Sequence, residues 1–229
     1  MSLQSIINSS TNIRIERPSM VSQQMTRSGR LISNAVPTHR PWRFSVTYRP
    51  AKRYSEARGM IELIDYLDRI YTEDIDIGYS NPKLDYITRY QGTMPQTAQT
   101  SKMVSSNDYS SSITIQTPSN YNGEEGLLFA QGDFIQPGKT SGYPYAYTVV
   151  ADVDAPTPEG QVEVFIHRPF IPDNYPAVDS FIGPTAGPIA VGTDCRFRVQ
   201  VVSKPSTQIQ VDKFLGYEGE FVLQEVISD

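Results

Sequence analysis

Cysteine is nearly missing from this chain. Its single example, Cys195, excludes an intramolecular disulfide framework and fits assembly in a reducing compartment. Histidine is almost as scarce. His39 sits in a proline turn, His167 ends an apolar strand pattern, and two imidazoles with one thiol cannot build a zinc site. No apolar run approaches the roughly 18 residues that a spanning helix needs. No apolar leader with a small-residue cleavage site opens the sequence either. A soluble, unsecreted protein without membrane insertion is therefore expected.

Motifs that carry chemistry are wanting too. There is no glycine-rich phosphate loop and no serine elbow. The stretch "DVDAP" at 152–156 sets two aspartates close together but lacks the glycine and closing glutamate of a calcium loop. Glu124 and Glu125 are adjacent in a loop, so their carboxylates diverge and suit a solvated turn better than a general acid–base pair. No catalytic residue, metal ligand set or cofactor site is expected, and hence no enzyme.

What the chain does contain is turn chemistry. Seventeen prolines and fifteen glycines interrupt short apolar runs that share fourteen tyrosines, the pattern of a mainly β protein. At 229 residues the chain can bury a core without staples, as one large all-β unit or as two domains. "NIRIERP" alternates Ile13 and Ile15 against Arg14 and Glu16. In "WRFSVTYRP", bracketed by Pro41 and Pro50, Trp42, Phe44, Val46 and Tyr48 face one way and Arg43, Ser45 and Thr47 the other.

The spacing predicts one packed helix over 55–71. Ser55 is its N-cap, Glu56 lies in the first turn, and Ala57, Met60, Ile61, Ile64, Leu67 and Tyr71 form an apolar stripe that must lie on a sheet. Residues 93–112, rich in Ser, Thr and Gln, read as a polar linker or an inter-subunit arm, with Thr97, Thr100, Lys102 and Met103 as contact candidates. Strand patterns then resume in "SITIQTP", "EGLLFAQGDFIQPG", "YAYTVVADVD", "GQVEVFIHRPF", "CRFRVQVVSKP" and "GEFVLQEVI". Within them "QGDF" reads as a turn at Gly132–Asp133 followed by a strand.

Charge is divided along the chain. Residues 1–60 carry ten Lys/Arg against two Asp/Glu, a net of +8, while the remainder carries ten against 23, a net of −13. The basic stretch "TRSGRLISNAVPTHRPWRFSVTY" could serve nucleic acid, a small anion or another protein surface. Specific nucleic-acid binding would need aromatics presented beside the arginines on the wet face, whereas here the alternation turns them inward. The overall pI near 5.1 also argues against it. A subunit interface is favoured, centred on Arg27, Arg30, Arg43 and Arg49, with the acidic remainder of another copy as its partner.

The order of these pieces resembles the tail proteins of tailed bacteriophages, of the distal-tail or baseplate-hub type. The resemblance runs from the basic "TRSGR" turn through "RPWRFSVTYRP" and "SEARGMIELIDYLDRI" to "LLFAQGDFIQPG", the "YTVVADVDA…EGQVEVFIHRPF" hairpin and the closing "FRVQVVSKPSTQIQ…GYEGEFVLQEVI". It implies a structural virion component, assembled in the host cytoplasm, that forms a ring of six copies. Such a ring sits at the distal end of the tail tube and joins tube protein to hub, baseplate or fibre proteins. The resemblance also implies that 195–229 return to the sheet of 1–92, with a β-barrel or sandwich over 113–194 inserted between them.

Two other readings stand beside it. One is a tube-initiating or hub subunit of a contractile-tail baseplate. The other is a carbohydrate-binding host-attachment module, because Tyr143, Tyr145 and Tyr147 could stack on sugars. Tyr145 and Tyr147 share a strand face, which suits ordinary sheet packing equally well.

Overall fold

The computed structural model describes residues 3–18, 21–25, 31–35, 41–47, 51–55, 58, 61–62, 65, 72–77, 84–106, 110–137, 145–171, 188–209 and 214–227. The fold is mainly β, in several antiparallel sheets. Backbone contacts divide the chain into one compact unit of Met1–Pro18, Pro41–Ile75 and Phe197–Ile227, and a second of Ser19–Arg40, Asp76–Arg196 and the last two residues.

The first unit is built on a five-stranded sheet. Its strands are β1 (Asn12–Glu16), β4 (Arg43–Thr47), β18 (Phe221–Glu225), β15 (Phe197–Ser203) and β6 (Glu73–Ile75), side by side in that order. β18 pairs with β4 on one side and β15 on the other, so the closing strands complete the N-terminal sheet. Phe44, Val46, Ile75, Phe197, Val199, Phe221 and Leu223 are buried along it, and the short helix α1 (Leu3–Asn8) buries Leu3, Ile6 and Ile7. The backbone N–H of Leu3 donates to Glu73 Oε2 at 2.6 Å, tying the start of α1 to edge strand β6. Phe197 meets Trp42 and Phe44 edge to face, with centroids 6.0 and 5.1 Å apart, pairs worth about 0.5–1.5 kcal/mol each beyond their buried area.

The alternation of "WRFSVTY" holds for Trp42, Phe44 and Val46, all buried. The opposite face departs from the expectation. Ser45 is buried and Arg43 half-buried, because β4 is an interior strand with β1 and β18 hydrogen-bonded to its two edges.

Beyond the sheet, the same three strands continue as a ribbon: β16 (Ser206–Ile209), β17 (Phe214–Glu218) and β5 (Ala51–Arg53). The pairs Val46↔Phe221 and Ala51↔Gly216 belong to one register. So do Val201↔Leu223 and Ser206↔Glu218, apart from an irregularity between Val201 and Ser203. Of the helix expected over 55–71, Ser55, Arg58, Ile61, Glu62 and Asp65 are described and helical, and Arg58 pairs with Glu62 at 3.4 Å. Helical conformation already includes Tyr54, so Ser55 lies inside the helix and not at its cap. The rest of that segment is outside the described residues.

The second unit contains a two-stranded pair, β2 (Val21–Met25) with β3 (Leu31–Ala35), and a larger construction from eight strands. β13 (Gln161–Phe165), β8 (Ser112–Gln116) and β7 (Lys102–Ser106) form one sheet; β11 (Tyr147–Thr148), β10 (Phe134–Gln136) and β14 (Ala190–Val191) form another. The two sheets meet at both edges. Lys102 bridges Pro188, with Ile189 N donating to Ser101 O at 3.0 Å. Val149 bridges Ile166, with Val150 N donating to Phe165 O at 2.9 Å and His167 N to Thr148 O at 3.0 Å. The order β13-β8-β7-β14-β10-β11 thereby returns on itself as a closed, antiparallel six-stranded barrel. Met103, Ile113, Ile115, Ile135, Tyr147, Val149, Val164, Ile166 and Val191 are buried in it. β9 (Leu127–Phe129) and β12 (Val153–Asp154) form a further pair.

Closure overturns the reading of 93–112 as a linker or arm. Residues Pro95–Thr100 are the helix α3, with proline at its first turn, where the missing N–H costs nothing. Residues Lys102–Ser106 are β7, and Met103 is fully buried opposite Ile115. Strand closure uses backbone groups, which a polar composition supplies as well as an apolar one. A one-turn helix, α2 (Asp85–Thr88), and the 3₁₀ turn Gly192–Asp194 complete the unit; both are too short to produce a helical period. Met103→Ala should destabilise the protein by about 2–5 kcal/mol, while Ser105→Ala stays within about 0.5 kcal/mol. Chemical denaturation of both variants checks this, and an arm would make the two equal.

Candidate functional site

Everything notable in the second unit starts at the "GD" turn. Gly132 has φ +94°, a left-handed conformation that glycine adopts without a Cβ penalty. The turn carries Asp133 into the protein, where it is 1% exposed. Its Oδ1 accepts the backbone N–H of Gln91 at 2.8 Å and its Oδ2 that of Ala130 at 2.9 Å. Burial pushes its carboxyl above the ordinary 3.8; N–H donors from Ala130, Gln91 and Gly92 oppose the rise, and nearby Asp152 adds to it. Hydrogen bonds to a charged group contribute about 1.5–3 kcal/mol each, while desolvating the charge costs several. The donors therefore offset most, but not all, of the burial cost.

Segment 88–94 is fastened at further points. The Tyr90 hydroxyl donates to Leu128 O at 2.6 Å and accepts the Met94 N–H at 3.3 Å. Its pKa is pushed up to about 12, first by burial, with a smaller push from Asp133, against a lowering by the Met94 N–H. Thr93 N donates to Leu127 O at 2.9 Å and Leu127 N to Thr93 Oγ1 at 2.9 Å. Gly92 fits because nothing larger could: a Cβ there would stand 2.3 Å from the Tyr90 hydroxyl and 2.9 Å from Leu127 O.

This clasp fixes where α3 begins, and α3 is one wall of a cleft of about 360 Å³. Ala98 is buried, so the helix has a fixed inner face, and Gln96 and Gln99 line the cleft. The opposite wall is loop 118–124, with Asn120, Asn122 and Glu124. Tyr121, 8% exposed, holds that loop: its hydroxyl donates to Glu124 O and lies 4.0 Å from Met94 Sδ. Tyr121, Met94 and Pro118 supply the apolar surface between the walls.

The residues singled out by sequence fall in different places. Arg27, Arg30 and Arg49, with His39 and Tyr143, lie outside the described residues. Arg43 pairs across the sheet with Glu16 and Gln224, and its Nε is buried with no hydrogen-bond partner among the described residues. Thr97 and Thr100 line the cleft, Lys102 is exposed and Met103 is core. Tyr145 and Tyr147 are fully buried, with Arg168 over their rings at 5.9 and 5.1 Å, so they pack and cannot stack on a sugar. His167 accepts the Thr148 N–H on Nδ1 at 2.9 Å. Among the described residues, no three His, Cys, Asp or Glu side chains gather as metal ligands would. The "GD" turn is visible in the sequence, but the roles of Tyr90 and Gln91 are not, because Gln91 stands 42 positions from Asp133 in the chain.

Two titrations test the clasp. The folded Tyr90 keeps its proton to about pH 12 while an unfolded tyrosine loses it near 10, so this residue makes stability fall as pH rises through that window. Tyr90→Phe should be less stable at neutral pH yet decline less steeply between pH 10 and 12. For Asp133 the folded carboxyl holds its proton to higher pH than the unfolded one. Wild type should therefore gain stability relative to Asp133→Asn as pH falls from 7 toward 4, read from denaturant midpoints. A scan against protein-family models and a search of curated proteins match nothing to this chain.

Proposed function

We propose that this chain is a non-catalytic structural component of a bacteriophage tail, forming a ring at the distal end of the tail tube and joining tube to hub, baseplate and fibres. Support comes chiefly from the sheet order β1-β4-β18-β15-β6, in which first and last segments of the chain share one sheet and the barrel strands fall between them in sequence. That arrangement is the one implied by the resemblance to distal-tail and baseplate-hub proteins.

Two physical features suit a ring. Identical copies around an axis meet through two different surfaces of each subunit, and a chain with +8 in residues 1–60 and −13 elsewhere carries complementary charge for that purpose. The ribbon β16-β17-β5 has β16 at one edge, with Ser206, Thr207 and Gln208 exposed. Polar side chains on such an edge discourage indiscriminate pairing while leaving its backbone groups accessible to a matched neighbour.

Light scattering coupled to size exclusion, followed by negative-stain imaging, tests the reading. A ring of about six copies of the 25.6 kDa chain is expected, and Arg27→Glu with Arg30→Glu should shift it toward smaller species. Because exposed charges are screened by salt, raised ionic strength should weaken wild-type assembly in the same direction. A monomer at every concentration, with or without tube and hub proteins, would sink the proposal.

A further inference from the structure

The geometry points to the cleft between α3 and loop 118–124 as a binding site for a neutral saccharide. Four carboxamide side chains line it, Gln96 and Gln99 from the helix and Asn120 and Asn122 from the loop. None of the four makes a side-chain hydrogen bond among the described residues, and Gln96, Gln99, Asn120 and Asn122 are all exposed. Elsewhere in the same unit an amide is consumed by the fold: Gln136 donates through Nε2 to Arg196 O at 3.2 Å and accepts the Arg196 N–H at 2.8 Å. At the surface too, Gln116 donates through Nε2 to Glu159 O at 3.1 Å, whereas these four stand around one opening without such a bond among the described residues.

The lining selects among ligands. A carboxamide offers two donors and an acceptor on neighbouring atoms, and a sugar hydroxyl likewise donates and accepts, so the two match pairwise. Among the described residues no lysine, arginine or histidine lines the cleft, which disfavours phosphate, sulfate and nucleic acid. Glu124 is its single carboxylate among the described residues, too few for a cation site. Half-buried Pro118 and Met94, backed by the buried Tyr121, give a small apolar surface on which the C–H groups of a pyranose can rest. A peptide captured by strand addition needs an open sheet edge, and these walls are a helix and a loop. The volume of about 360 Å³ lies in the range of small-ligand sites. Both walls are fixed within one unit, the first by the Asp133–Tyr90 clasp and the second by Tyr121, so the site does not depend on ring assembly.

The test uses the full chain on an array of neutral oligosaccharides of glucose, galactose, mannose and N-acetylglucosamine, with sialylated and sulfated counterparts and a Gly-Ser peptide. Titration calorimetry at millimolar concentration follows for whatever is retained. At least one neutral series should bind. The double variant Gln99→Ala, Asn122→Ala, both exposed positions, should weaken it by about tenfold or more, the loss of one to two modest hydrogen bonds, with an unchanged melting curve. Retention of no neutral saccharide, equal binding by the double variant, or preference for the acidic sugars or the peptide each overturns the assignment.

Discussion

The barrel unit hangs on one buried carboxylate. Asp133 leaves the left-handed turn at Gly132 and takes backbone N–H groups from its own turn and from a segment distant in sequence. No other side chain would serve as well. A glutamate would overshoot the turn, and an asparagine would present a donor where a second acceptor is needed. Because the N–H groups of Gln91 and Ala130 point inward, their satisfaction is obligatory. The position of 88–94, of α3 behind it and of one cleft wall follows from that obligation.

How much of this was legible in the sequence depends on which groups carry the structure. Where side chains decide, the pattern spoke clearly: Ile13, Trp42, Phe44 and Val46 are buried as their alternation required, and "SITIQ" buries Ile113 and Ile115 between partly exposed neighbours. Where backbone decides, composition was silent. β7 closes the barrel with Lys, Ser and a single buried Met, and was read as an arm for its polarity. Ser45 looked like the wet face of a strand and is buried. The cleft is of the same kind. Its amides were visible as residues, but only the meeting of helix and loop makes them a set.

The two units solve the problem of strand edges in opposite ways. The barrel joins its two sheets through two isolated bridges and so closes. Among the described residues the five-stranded sheet and its ribbon remain open, with β1 and β6 at the margins of one and β16 and β5 at the margins of the other. A single chain thus combines a closed barrel with a sheet whose outer strands each have one strand neighbour among the described residues.

The barrel's closing bridge has a consequence for how such a chain can change over time. Lys102 and Pro188 are paired across the seam, so the polypeptide comes into the barrel and goes out of it on neighbouring strands, about 5 Å apart. In the five-stranded sheet, Ile75 and Phe197, the residues that flank the excursion, are likewise partners. The sheet therefore experiences everything between them as a loop whose ends already meet. The entropic penalty of such a loop grows only with the logarithm of its length. A shorter turn, or a different folded module with adjacent ends, could replace the barrel at little thermodynamic cost to the sheet, leaving the scaffold constant while the module it carries is exchanged.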